Sequence, residues 1–261
     1  MPTVTLPTGV TISYTDSGGT GPVAVFSHGF LLDGRMFDAQ VAALSSELRC
    51  ITWDARGHGE TTYDGLPFTY WDSARDLLDL LDHLSVDRAF LIGMSQGGFA
   101  SLRAAILAPD RVRGLVLIDS QAGLESPEAK PLYESLAAGW VSNGANPDVL
   151  PMVATLVLGP DGHEQWIASW LARPHSEVEQ PFRTLMDRDD ITDRLGEIEA
   201  PAVVIHGSED LSIPMERAEQ LAAGLKDCGP VVVISGGAHA SNVTNPDEVN
   251  AAIRTFLLGQ E

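Results

Sequence analysis

Six apolar runs recur along the chain, each closed by glycine or a small polar cluster. They are 23-VAVFSHG-29, 48-LRCITWDARGHG-59, 88-RAFLIGMSQGG-98, 113-RGLVLIDSQAG-123, 201-PAVVIHGSED-210 and 229-GPVVVISGGAH-239. Apolar runs without a polar alternation fit strands covered on both faces, as in a parallel sheet. Residues 2–14 behave differently. They alternate around Thr8-Gly9 and predict a β-hairpin.

Helical periodicity fills the spaces between strands. In 72-DSARDLLDLLDHL-84, Ala74, Leu77, Leu78, Leu81 and Leu84 follow the spacing of one helix face. Asp76, Asp79 and Asp82 fall opposite and are expected in solvent. Residues 96–108, 215–226 and 247–258 also predict helices, the last with Asn245 as cap and Pro246 near its first turn. Alternating strands and helices predict an α/β class, a doubly wound and mostly parallel sheet. A ligand site is expected beyond the carboxyl ends of its strands.

The alternation fails once. From 122 to 198 no apolar strand is readable, and the stretch holds Trp140, Trp166 and Trp170, three of the five tryptophans. It predicts a helical cap inserted into a core formed by 1–121 and 199–261, and not an independent domain.

Composition narrows the classes of function. The 261 residues are 44% hydrophobic and carry a net charge of −20, with 36 acidic against 16 basic side chains. The hydrophobic content supports a large core, and the charge disfavours nucleic acid and anionic membrane as partners. Two cysteines, Cys50 and Cys228, form no framework and read as small hydrophobes in a reducing compartment. The segment 1-MPTVTLPTGVTISYTD-16 has neither the basic nor the apolar region of a secretory signal, so a cytoplasmic protein is expected.

Chemistry gathers at the strand ends. Ser95 stands between Gly93 and Gly97 at a strand-to-helix junction. A sharp turn there would expose its hydroxyl at a helix N-terminus. Alone, Ser95 reads equally as a helix cap. A phosphate loop would need Gly-Lys-Ser/Thr, and Lys130 and Lys226, the only lysines, stand in no such context. A serine nucleophile needs a base, and His239 ends the last strand in a glycine-rich loop. The base needs an orienting carboxylate, for which Asp210 is favoured and Asp119 competes. An oxyanion hole needs two backbone N–H donors, expected from Gln96 and Phe30. His206 and His58 read as structural. No His-x-x-x-His pair supports a metal site, and no Gly-x-Gly-x-x-Gly follows a strand, so neither metal nor cofactor is expected.

Together, FSHGF, WDARGHGET, GMSQGG, HGSEDLSIP and GGAHASNVTNP, in this order, resemble the α/β-hydrolase fold superfamily over nearly the whole chain. The resemblance implies Ser95 as nucleophile, Asp210 as acid, His239 as base, and Phe30 and Gln96 as oxyanion donors. Within the superfamily the chain is similar to small esterases, 3-oxoadipate enol-lactonases and perhydrolases that use no cofactor. Two positions depart from those groups. Gln96 replaces the Met common after the serine, and Phe30 replaces the Trp that perhydrolases often carry. Epoxide hydrolases and haloalkane dehalogenases, also similar, use Asp where Ser95 stands.

The expected function is hydrolysis of a small hydrophobic ester or lactone, with water as the second substrate. Carbon–carbon bond cleavage, perhydrolysis, or ligand sensing on the same scaffold are the alternatives. His28, Trp140, Met152, Leu156, Trp166 and Trp170 are the candidate pocket residues.

Overall fold

The computed structural model describes residues 1–125 and 130–259. Eight strands form one sheet: β1 (Thr3–Thr5), β2 (Thr11–Asp16), β3 (Val23–Ser27), β4 (Arg49–Trp53), β5 (Ala89–Met94), β6 (Val112–Ile118), β7 (Ala202–Gly207) and β8 (Val232–Ile234). Their spatial order is β1-β2-β4-β3-β5-β6-β7-β8. The β1–β2 and β2–β4 pairings are antiparallel and the remaining pairings are parallel. Ten α-helices are present among the described residues: α1 (Asp38–Leu44), α2 (Tyr70–His83), α3 (Gln96–Leu107), α4 (Lys130–Asn143), α5 (Leu150–Leu158), α6 (Glu164–Ala172), α7 (Glu179–Met186), α8 (Met215–Gly224), α9 (Ser241–Thr244) and α10 (Pro246–Leu258).

The sheet divides two cores because successive strand residues point to opposite faces. Val25, Leu91, Leu115, Leu117 and Val204 pack on one side with Leu77, Leu80 and Leu81 of α2 and Ala218 and Leu221 of α8. Phe26, Ile92, Val116, Ile118 and Ile205 pack on the other with Leu44 of α1 and Val249, Ile253 and Leu257 of α10. Full burial of such side chains stabilises by about 1.5–3 kcal/mol each. Double coverage explains why β5 is buried at every residue and why the central strands show no alternation in sequence.

No strand occurs between β6 and β7 among the described residues, and α4 to α7 occupy that interval. Trp140, Trp166, Trp170 and Phe182 of these helices join the same core as α1 and α10. The sheet switches direction between β3 and β5, which lie side by side while β4 and β6 flank them on opposite sides. The loops after β3 and β5 therefore meet at one crevice.

Two local expectations need correction. Asp76 is buried, not solvated. Arg56, from the loop after β4, folds onto it, with Nη2 donating to Asp76 Oδ1 at 2.8 Å and Nε to Oδ2. A loop cation can reverse the exposure that helical periodicity assigns. Asn245 does stand at the start of α10, but its side chain makes no capping bond and donates instead to the Ser235 carbonyl at 3.4 Å. A closed capping box starts α2, where the Thr69 side chain accepts from the Asp72 N–H and the Asp72 carboxylate accepts from the Thr69 N–H.

Removing one partner of a buried ion pair leaves the other charge uncompensated. Asp76→Ala should therefore cost about 3 kcal/mol of folding stability, whereas Asp79→Ala should stay within about 0.5 kcal/mol. Urea unfolding of the two variants measures both; equal effects would contradict the burial of this pair.

Candidate active site

β5 delivers Ser95 directly into the first turn of α3. The Ser95 backbone sits at φ +49°, ψ −115°, outside the regions that L-residues normally occupy. Such a conformation costs on the order of 1–3 kcal/mol and persists only where its surroundings impose it. Here the Ser95 N–H donates to the Ile118 carbonyl at 2.9 Å, and its own carbonyl accepts from Ser120 Oγ at 2.9 Å. Neighbouring backbone passes so close that a side chain at Gly93 would overlap Gly97 and Gly98, and one at Gly97 would overlap the Ser27 carbonyl. The Ser95 side chain makes no capping bond to α3, which removes the cap reading of this serine.

The hydroxyl points to the end of β8. His239 Nε2 lies 3.1 Å from Ser95 Oγ, and His239 Nδ1 lies 2.8 Å from Asp210 Oδ2. Asp210 follows β7, and its other oxygen accepts the backbone N–H groups of Ser212 at 2.7 Å and Ile213 at 2.9 Å. An ionised carboxylate only accepts, so Nδ1 carries the imidazole proton and Nε2 presents its lone pair to the serine. Burial acts to push the His239 pKa down, but the adjacent Asp210 charge and hydrogen bond outweigh it and hold the imidazole above its ordinary value. Burial likewise acts against ionisation of Asp210, yet His239 keeps its pKa below the usual carboxylate value.

Asp119, the competing acid, is fully buried but faces backbone. Its Oδ1 accepts from Gly207 N–H at 2.8 Å and its Oδ2 from Ser241 N–H at 2.9 Å. One carboxylate thus ties the β7 end, which carries Asp210, to the loop that carries His239. Burial pushes its pKa up to about 7, with the nearby Asp210 charge contributing in the same direction. His206 lies between the acids, with Nε2 2.9 Å from the Ile213 carbonyl and Nδ1 3.6 Å from Asp119 Oδ1. Asp119, His206 and Asp210 are close enough together to share an ion. Every carboxylate oxygen among them already accepts an N–H donor from the protein, so the cluster reads as a network that fixes two loops.

The backbone N–H groups of Phe30 and Gln96 make no hydrogen bond among the described residues. The Gln96 side chain is directed away from the serine. Its Oε1 accepts from Tyr70 OH at 3.1 Å, and its Nε2 lies 3.4 Å from His58 Nε2. Trp170 Nε1 donates to the Leu31 carbonyl at 2.7 Å, so α6 grips the loop that carries Phe30.

A cavity of about 290 Å³ opens beside Ser95 and His239. Trp140, Met152 and Leu156 line it, together with Phe30, Phe182 and Leu185. His28, Trp166 and Trp170, expected from sequence in the pocket, lie off its described wall. The His28 ring is buried between the Gly29 carbonyl and the Ala55 N–H, at 2.8 and 2.9 Å. Trp166 and Trp170, on α6, are buried in the core that the inserted helices share with α1 and α10. Aromatic content marks packing and lining residues equally, so composition could not separate them. Sequence reading also missed Tyr70, whose ordinary place in a helix carries no mark of its contact with Gln96.

The profile of the family described as "alpha/beta hydrolase fold" matches residues 22–246. The chain belongs to this family. It is 30% identical to RutD of Rhizobium rhizogenes, a relative named for carbamate hydrolysis, over 89% of this chain and 91% of that one. A thermophilic esterase from Thermogutta terrifontis superimposes with a TM-score of 0.88 at 30% identity, over 99% of this chain and 98% of its own. The enol-lactonase from Burkholderia xenovorans LB400 superimposes with a TM-score of 0.87 at 25% identity, over 98% of this chain and 100% of its own. Hydrolysis is the activity common to these family members, and this chain is a hydrolase. No helix among the described residues is long and apolar enough to cross a membrane.

An asparagine at position 119 would keep one acceptor and turn an NH₂ toward one of the two backbone N–H groups. Asp119→Asn is expected to lose about 1–3 kcal/mol of stability, read as a lower unfolding temperature by calorimetry. An unchanged unfolding temperature would contradict its role in tying the two loops.

Proposed function

We propose that Ser95, His239 and Asp210 are the catalytic triad of a carboxylic-ester or lactone hydrolase that works through an acyl-enzyme. The observation that carries the reading is the continuous chain from Ser95 Oγ to His239 Nε2, 3.1 Å, and from His239 Nδ1 to Asp210 Oδ2, 2.8 Å. The resemblance to an esterase and an enol-lactonase supports the ester or lactone bond as the target.

Ser95 Oγ attacks the carbonyl carbon while His239 Nε2 takes its proton. The imidazolium so formed is stabilised by Asp210. Negative charge moves to the former carbonyl oxygen, where the N–H groups of Phe30 and Gln96 receive it. Loss of one such donor typically costs about 3–4 kcal/mol in the transition state. His239 then protonates the leaving alcohol, and the ester bond to that alcohol breaks. Water enters, gives a proton to His239 and attacks the acyl-Ser95 carbonyl. Return of the proton to Ser95 Oγ releases the acid. The cavity beside Ser95 would hold the apolar part of the substrate. Trp140, Met152 and Leu156 are its proposed contacts among the residues anticipated from sequence, and the helices from 130 to 186 act as the cap.

Ser95→Ala should lower kcat for p-nitrophenyl butyrate by about 10⁴–10⁶-fold with folding intact. Retained turnover in pure Ser95→Ala protein would remove the assignment. The base works only when neutral, and its pKa is raised. So kcat/KM should climb with pH through one ionisation lying above about 6.5, the ordinary histidine value. A pH–rate profile checks this, and Asp210→Asn should move the ionisation to lower pH and cut kcat by about 10⁴-fold.

A further inference from the structure

The cavity beside Ser95 is apolar on most sides, and Leu132 and Met152 extend that character to its mouth, where both stay more than half exposed. Glu125 interrupts it. Its side chain lines the cavity, 13% exposed, and Arg188 lies behind it, 2% exposed. The guanidinium is fully engaged inside the protein. Nε and Nη2 donate to the Gly123 carbonyl at 3.2 and 3.0 Å, Nη1 donates to the Leu185 carbonyl at 2.8 Å, and Nη2 donates to Glu125 Oε1 at 2.9 Å. Its plane rests over the Phe99 ring, 4.7 Å from the centroid. Gln121 Nε2 also approaches Glu125 Oε1, at 3.5 Å. Among the described residues that line the cavity, none is Lys or Arg.

We propose that Glu125, set in front of Arg188, is a charge filter: the site takes esters and lactones whose acyl and alcohol parts are uncharged and rejects those that carry a carboxylate. The inference rests on the hydrolase reading of Ser95 above.

The physical case has two parts. A substrate carboxylate would shed its water on entering an apolar cavity, which is costly unless a cation receives it. The Arg188 cation is screened by Glu125, so the incoming anion meets a like charge first. Glu125 also lies near enough to the catalytic centre that its charge helps raise the His239 pKa. A substrate held at Ser95 is therefore within reach of its field. An uncharged aliphatic chain meets neither cost and gains from burial against Trp140 and Leu156.

The test uses the full chain and two matched series: p-nitrophenyl esters of straight-chain acids of four to six carbons, and mono-p-nitrophenyl esters of the α,ω-dicarboxylic acids of the same lengths. In the unmodified protein kcat/KM should be at least about 100-fold lower for the acid-terminated ester at each length. Glu125→Gln unmasks Arg188, and the ratio between the two series should shrink at least about tenfold. Because each ratio is taken within one protein, changes common to both series cancel. If Glu125→Gln does not fold, the double variant Glu125→Gln with Arg188→Met carries the test, with the ratio reduced but less than tenfold. A ratio under about threefold in the unmodified protein, or one that a folded variant leaves unaltered, overturns the filter. These results differ from failure of the hydrolase reading, in which neutral esters are not turned over or are still turned over by Ser95→Ala. That failure would remove both proposals.

Discussion

The turn at Ser95 is the constraint on which the site depends. A non-glycine residue held at φ +49° exposes its hydroxyl at a helix start, and it stays there because β5, β6 and α3 leave the backbone no other path. Gly93 and Gly97 pass the turn without a side chain, and the Ile118 carbonyl and Ser120 hydroxyl hold its backbone by hydrogen bonds. The strain at one residue is met by packing spread over the whole sheet, whose central strands are buried on both faces. A well-covered sheet is therefore a requirement of the site as much as of stability.

Charge is partitioned at the other end of the site. Two aspartates lie close together at the ends of β6 and β7, and full ionisation of both would be opposed by their proximity. The structure separates their duties. Asp210 touches His239 and is held ionised by it, while Asp119 accepts backbone N–H groups and is pushed up to about 7 by burial. At the cavity wall Glu125 and Arg188 are paired with each other at 2.9 Å. There the cation is consumed by protein acceptors and the anion is what a substrate meets.

Most of the fold was legible because strand ends and apolar runs leave strong local marks. The six runs predict β3 to β8, and the hairpin and the helices at 72–84, 96–108, 215–226 and 247–258 stand within a few residues of their predicted places. Ser95, Asp210 and His239 were readable as strand-end groups, and the structure brings them together. What could not be read depends on contacts distant in sequence. Asp76 is expected in solvent by helical periodicity but is covered by Arg56, and nothing local in sequence marks the contact of Tyr70 with the Gln96 side chain. Trp166 and Trp170 could not be told from Trp140, because an indole packing a core and an indole lining a cavity satisfy the same pattern. The short helix α1 had too few residues to declare a period.

The central claim is that Ser95 is made nucleophilic by the His239–Asp210 pair. Intact-mass and peptide mapping after treatment with an uncharged p-nitrophenyl alkylphosphonate tests it directly. The account predicts one adduct per chain, located on Ser95, formed far more slowly when His239 is replaced by alanine. An adduct elsewhere, or labelling of Ser95 at an unchanged rate without His239, would contradict it.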